Sequence, residues 1–184
     1  MDDIMVDIET LDTTQSAVVL SIGAVAFDPN TKELGEKFYV ELTDLEVQQR
    51  VGRTISARTV RWWMQQAASA KQLFADPPPA GVRRVSTAQG LTEFAAFIAR
   101  NGGTNMKLWG NGADFDNLII GSLYESFSMD KPWSYGRNRC YRTLKRLFGE
   151  NVKINRVGVH HNGLDDAITQ AVHMQEIMAC IKQQ

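Results

Sequence analysis

The chain has 184 residues, 43% hydrophobic and 22% charged, enough for one globular domain with a real core and too few to suggest two. A net charge of −1 and a pI near 6.3 argue against tight, non-specific binding to duplex nucleic acid, so contact with a polyanion must be local or mediated by metal. Cys140 and Cys180 are far apart and outside any Cys-x-x-Cys, which speaks against a disulfide framework or a structural zinc site and fits a reducing, cytoplasmic setting.

The N-terminus runs from Met1-Asp2-Asp3 straight into a strand pattern, with no basic leader and no apolar run of membrane-spanning length, so neither a targeting signal nor a membrane partner is expected. Ile4, Val6 and Ile8 alternate with Met5, Asp7 and Glu9, the period of a buried strand whose second face carries two carboxylates. Like charges that close raise each other's proton affinity, and an apolar sheet desolvates them. Both stay ionised most easily around a hard divalent cation such as Mg²⁺ or Mn²⁺, which prefers oxygen ligands.

Ala17 to Phe27 is β-branched and apolar and closes on Asp28-Pro29-Asn30; Lys37 to Leu42 alternates again, so three consecutive strands predict an antiparallel meander. Arg50, Arg53, Arg58 and Arg61 follow with no acid between them and lead to Trp62-Trp63-Met64, a basic and aromatic patch on a helix with Ser56 as its N-cap. Asp76-Pro77-Pro78-Pro79-Ala80-Gly81 reads as a surface loop between helices. Leu91, Phe94, Ala95 and Ile98 have the spacing of an amphipathic helix over 87–100, stopped by Asn101-Gly102-Gly103.

Met106 to Gly110 reads as a strand, Asn111-Gly112 as a turn, and 113–127 as a helix that carries Asp116 in its first turns. Between Lys131 and Arg156 eight basic residues stand against one acid, Glu150. His160-His161-Asn162-Gly163 then precedes a long helix from Leu164 to about Lys182. No internal repeat or low-complexity tract interrupts the chain.

The ordered set Asp7-x-Glu9, Phe115-Asp116 and His161-x-x-x-x-Asp166 resembles the DEDDh 3′→5′ exonuclease family of the ribonuclease H-like superfamily. Asp7-Ile8-Glu9-Thr10-Leu11-Asp12, Thr59-Val60-Arg61-Trp62-Trp63 and His161-Asn162-Gly163-Leu164-Asp165-Asp166-Ala167 look most like its phage and prophage branch, of the phage exonuclease A type. The resemblance implies an α/β fold with a mixed five-stranded sheet and helices on both faces. It implies two ions, roughly 4 Å apart, that stabilise the attacking water and the leaving 3′ oxygen. Asp7 would bridge both ions, Glu9, Asp116 and Asp166 would complete their shells, and His161 would be the general base. Thr10 and Leu11 would grip the terminal nucleotide, the leucine as an apolar wedge against the last base, although an ordinary loop leucine packed on the core fits Leu11 equally well. Homodimers are common in such families.

The residues leave rivals open. His160 and Asp165 are also five apart, although the helix face favours His161 with Asp166, which flanks the apolar stripe. Asp114 is a decoy for Asp116, Asp12 and Asp165 suit solvated or capping roles, and His173 suits a packed or surface one. Trp62 or Trp63 could stack on unpaired bases, a contact worth about 1–3 kcal/mol; adjacent helix residues point about 100° apart, so the other would be core. The basic 131–156 segment could follow a phosphate backbone or be a solvated face.

Gly163 stands where the family's histidine motif usually has alanine, and a glycine loosens a helix start by up to about 1 kcal/mol. The expected function is metal-dependent removal of nucleotides from the 3′ end of single-stranded DNA or RNA. A phosphohydrolase of small esters would use the same carboxylates without needing the tryptophans or the basic segment. An inactive nucleic-acid-binding module would bind without turnover.

Overall fold

The computed structural model describes residues 1–102 and 105–182. The three expected strands form as β1 (Asp3–Thr10), β2 (Val19–Phe27) and β3 (Leu34–Leu42), a meander in which Ile8 faces Ile22 and Gly23 faces Tyr39. Two short helices follow, α1 (Leu45–Arg50) and α2 (Ala57–Met64), then β4 (Arg84–Val85), α3 (Thr87–Asn101) and β5 (Lys107–Gly110). The chain ends through α4 (Leu118–Ser126), β6 (Asn138–Cys140), α5 (Tyr141–Phe148) and α6 (Gly163–Ile181).

The sheet is mixed, as expected, but has six strands rather than five, in the order β4-β3-β2-β1-β5-β6. Strands β5 and β6 extend it in parallel from β1, and β4 pairs in parallel with the end of β3. The extra strand has two residues, too few for any period to show in sequence. Its Arg84 donates from Nε to the buried Glu41 Oε2 at 2.7 Å, which pins the edge. The Pro-rich stretch runs into β4 from a 3₁₀ turn over Ala70–Phe74, not between two α-helices. Helix α3 extends through Asn101 with Gly102 after it; Gly103, the last residue of the expected stop, lies outside the described residues.

Both faces of the central strands are covered, which is why the β2 run is apolar without alternation. Ile4, Val6 and Ile8 pack with Leu91, Phe94 and Phe97 of α3 and Ile119, Ile120 and Leu123 of α4. Met5, Val25 and Phe27 pack on the other face against Tyr141 and Ala167, Ile168, Ala171, Met174 and Ile177 of α6. Each such side chain contributes about 1.5–3 kcal/mol when fully buried. The period of β1 therefore puts Asp7 and Glu9 on the face that α6 covers. Among the described residues no helix is long and apolar enough to cross a membrane.

Two glycines let α6 approach. A Cβ on Gly23 would lie 2.1 Å from the carbonyl carbon of Gly163, and one on Gly163 would lie 2.9 Å from the carbonyl oxygen of Asp7. Gly163 is thus a contact residue at the helix start, and its effect is to seat α6 against β1 rather than to loosen it. Gly163→Ala should lower Tm by a few degrees, because an overpacking cost of about 1–3 kcal/mol outweighs the gain in helix propensity of up to about 1 kcal/mol. A thermal melt in which the variant is more stable than the parent would contradict this contact.

Candidate active site

Asp7 and Glu9 leave β1 on the same face as α6, and Asp166 meets them from the first turn of that helix. Each of the three offers an oxygen within 4.8 Å of those of the other two. Asp7 is half-buried and accepts from Gln170 Nε2 at 2.7 Å. Glu9 is 7% exposed and Asp116 2%. Asp116 arrives from a π-helical turn over Ala113–Asn117 between β5 and α4, and its Oδ1 accepts the backbone N–H of Ile8 at 3.3 Å. A side chain at Gly110 would lie 2.9 Å from Asp116 Cβ, so glycine at the end of β5 makes room for this carboxylate.

The head of α6 is built from short-range polar contacts. Asn162 is its N-cap, accepting the N–H groups of Leu164 and Asp165 at 3.1 and 3.2 Å. Asp166 Oδ2 accepts the N–H of His161 at 2.9 Å, and Arg156 Nη1 donates to Asp166 Oδ1. His161 has φ +63°, a left-handed conformation in which histidine is over-represented among non-glycine residues, and the bond to Asp166 holds it there. Its ring lies edge-on to Trp62 with centroids 4.8 Å apart and stacks on His160 at 3.8 Å. Asp165 turns away and accepts the N–H of Val159 at 2.7 Å.

The alternatives weighed on sequence fall into structural places. Asp12 accepts from Thr13 N and Thr54 Oγ1 at 2.7 Å each and orders a loop. Asp114 is exposed, and His173 is buried between Tyr141 and the carbonyl of Val152.

Burial raises the proton affinity of all four carboxylates, and crowding adds to it at Asp7 and Glu9. Burial pushes Glu9 up to about 8, with Asp166 and Asp116 adding to it and Arg156 opposing. Asp116 is pushed up to about 7 by burial against the pull of donors such as the Ile8 N–H. Asp7 stands well above the ordinary carboxylate range through burial and then the charges of Asp116, Glu9 and Asp166. Asp166 is raised by burial, with Arg156 opposing. His161 moves the other way: burial, His160 and Arg156 hold its imidazole below its usual value. Three carboxylates that meet at one point, with Asp116 lining the same cleft, suit a hard divalent cation.

A cleft of about 1230 Å³ opens above this floor. Both tryptophans border the cleft; Trp63 is 3% exposed and donates from Nε1 to the carbonyl of Thr10 at 2.9 Å, whereas Trp62 is 40% exposed. Thr10 also lines it; Leu11 points inward instead, to a cluster with Val18, Leu20, Trp63 and Ala70. Arg142, Lys145 and Arg146 of α5, with Lys153 and Arg156, form a basic wall. Of the four arginines before the tryptophans only Arg58 lines the cleft, and Arg53 is a buried brace donating to Ala17 O and Ser122 Oγ. Sequence reasoning does not single out Arg156 or Gln170 as site residues. Gln170 stands four residues after Asp166, hence on the same helix face; nothing in the sequence sets Arg156 on Asp166.

A mixed sheet with helices on both faces brings four carboxylates and a histidine to one end. The family model of the 3'-5' exoribonuclease Rv2179c-like domain matches residues 2–178, and the chain belongs to that family. An exodeoxyribonuclease of enterobacteria phage T4 is 28% identical over 131 residues, covering 67% of this chain and 56% of the phage protein. The chain thus spans little more than half the length of that curated relative. Among solved structures, the nuclease domain of 3'hExo, a DEDDh family member bound to rAMP, is similar with a TM-score of 0.60 and 15% identity, over 98% of this chain and 92% of that one. Exonuclease X in complex with 5' overhanging duplex DNA gives a TM-score of 0.53 and 15% identity, over 97% and 92%. At these identities the structural likenesses show the fold.

The raised carboxylates have a consequence for stability. A group whose folded pKa exceeds its unfolded value supports folding fully below the unfolded value, and that support is lost as pH rises through the folded one. In chelator, Tm should therefore fall from about pH 4–5, where the unfolded carboxylates ionise, and level off above about pH 8, with Asp116 at about 7 and Glu9 at about 8. Glu9→Gln removes a carboxylate that carries its charge above about pH 8 and should raise Tm in chelator at about pH 9 by about 2–8 °C, on roughly 1–2 kcal/mol of relieved repulsion. A fall in Tm on this substitution would contradict the electrostatic reading.

Proposed function

We propose that the chain removes nucleotides from the 3′ end of single-stranded DNA or RNA by metal-dependent hydrolysis of the terminal phosphodiester. The observation that carries this reading is the convergence of Asp7, Glu9, Asp116 and Asp166 on one floor with His161 tethered beside them through Asp166. Asp7, Glu9, Asp116 and Asp166 would hold two divalent ions, Mg²⁺ or Mn²⁺, which would supply Lewis-acid charge for the attacking water and the leaving oxygen. The protein's own part is to hold the carboxylates ready, to take up a proton and to place the strand.

His161 accepts the proton of the attacking water at a ring nitrogen, and its lowered proton affinity keeps it neutral at physiological pH. The tether from its backbone N–H to Asp166 keeps the base in register with the carboxylates. Thr10 meets the terminal nucleotide at the cleft edge, and Leu11 anchors that loop from below. Trp62 offers the exposed ring for stacking on an unpaired base, and Trp63 backs it from the core. Arg142, Lys145, Arg146 and Lys153 face the phosphates of the nucleotides that follow. Relatives solved with rAMP or DNA support a nucleic-acid substrate, and the length of the basic wall favours a polymer over a small phosphate ester. The unpaired cysteines agree with a cytoplasmic setting.

A 5′-labelled single-stranded oligonucleotide, in DNA and RNA versions, should shorten from its 3′ end with Mg²⁺ or Mn²⁺ and stay intact in chelator. Asp7→Ala and His161→Ala should each lose at least about a hundredfold in rate. The acidic limb of the pH–rate profile should lie below the usual imidazole range, in line with His161. Strand binding without shortening under either metal would overturn the enzyme reading and leave a binding module.

A further inference from the structure

Gln170 is a buried amide, 8% exposed, one helical turn beyond Asp166 on the face of α6 that looks into the cleft. Its Nε2 donates to Asp7 Oδ1 at 2.7 Å, while its Oε1 is buried without a hydrogen-bond partner among the described residues. Around a bound cation Asp7 is ionised and only accepts, so in that state the NH₂ end faces Asp7 and the carbonyl end faces away from it. A buried acceptor left without a donor is costly. Of the α6 positions around it, Ala167, Ala171 and Met174 are apolar. The polar neighbours Asp166 and His173 are engaged, the first with Arg156 and the His161 N–H, the second with Tyr141 and the Val152 carbonyl.

The same helix carries an internal comparison. Gln175 is also buried, but its Nε2 donates to the carbonyls of Asp28 and Glu33 at 2.9 Å each, a tie between α6 and the turn that joins β2 to β3. That glutamine has a structural use for its amide away from the cleft. Gln170 has one end on a carboxylate of the site and the other unpaired.

We propose that Gln170 is a positioning residue of the metal centre: its N–H holds one oxygen of Asp7 in place, so that the other carboxylate oxygen is presented to a divalent ion at the site. The inference rests on the metal-dependent reading of the site above and goes beyond it by assigning a residue outside the carboxylate and histidine set. Groups that orient metal ligands from behind typically change metal affinity or activity by about 10–100-fold when removed.

The test uses the whole chain stripped with chelator and then titrated with Mn²⁺, free Mn²⁺ being read by electron paramagnetic resonance, with thermal melts in chelator alongside. Gln170→Met should bind Mn²⁺ about 10–100-fold more weakly than the parent while its Tm in chelator stays within a degree or two. Gln175→Met should do the reverse, keeping the parent's Mn²⁺ affinity and losing Tm. Should Gln170→Met fail to fold, Gln170→Asn takes its place with the same expected loss, because the shorter arm withdraws the amide from Asp7. Parental Mn²⁺ affinity in the Gln170 variant would overturn the assignment, as would a loss of affinity matched by a loss of Tm as large as that of Gln175→Met. Absence of Mn²⁺ binding by the parent would instead overturn the metal-dependent reading itself, and the inference with it.

Discussion

Mutual repulsion among four carboxylates shut away from water is the condition that the rest of the molecule has to meet. Asp7, Glu9, Asp116 and Asp166 come from three separate elements, and each is driven by burial toward holding its proton. Left to itself such a cluster opposes folding. The chain offsets it in part with donors: the Gln170 amide on Asp7, the Ile8 N–H on Asp116, and Arg156 with the His161 N–H on Asp166. The remaining charge is what a divalent cation would answer, so the strain and the proposed chemistry have one source.

The frame around the cluster is correspondingly tight. Helix α6 starts where Gly23 and Gly163 allow backbone to touch backbone, and it carries Asp166 and Gln170 onto the face of β1 that holds Asp7. Gly110 does the same for Asp116 at the end of β5. On the rim, the buried guanidinium of Arg53 ties the loop after β1 to α4 through Ala17 O and Ser122. The indole of Trp63 ties α2 to Thr10. These contacts leave Trp62 free at the surface beside His161, opposite a wall of cations on α5 and the segment after it.

Much of this arrangement is legible in the amino-acid sequence. The period of residues 4 to 9 puts two carboxylates on one side of a core strand, and the 3.6-residue spacing after His161 places Asp166 at the head of a helix. Neighbouring tryptophans on a helix have to face different ways, and the fold turns Trp63 in and Trp62 out. The features that sequence does not show depend on contacts distant along the chain. Asp7 and Gln170 are 163 positions apart, and no local pattern says which buried glutamine of a helix meets a given carboxylate. Gly163 reads as a weak helix start because propensity sees only its own helix, not the strand backbone it touches. Strand β4 is too short to have a period, and nothing local decides whether Leu11 meets substrate or fills the core.

The carboxylate floor is held partly protonated by burial, with crowding adding at Asp7 and Glu9, and releases those protons to solvent when a cation binds. Calorimetric titration of Mn²⁺ into the chelator-stripped chain near pH 7, repeated in buffers with different heats of ionisation, measures that exchange directly. With Glu9 at about 8 and Asp116 at about 7, metal uptake should release about one proton or more per chain. Binding with no release of protons would mean that the carboxylates are already fully ionised, and it would contradict the account.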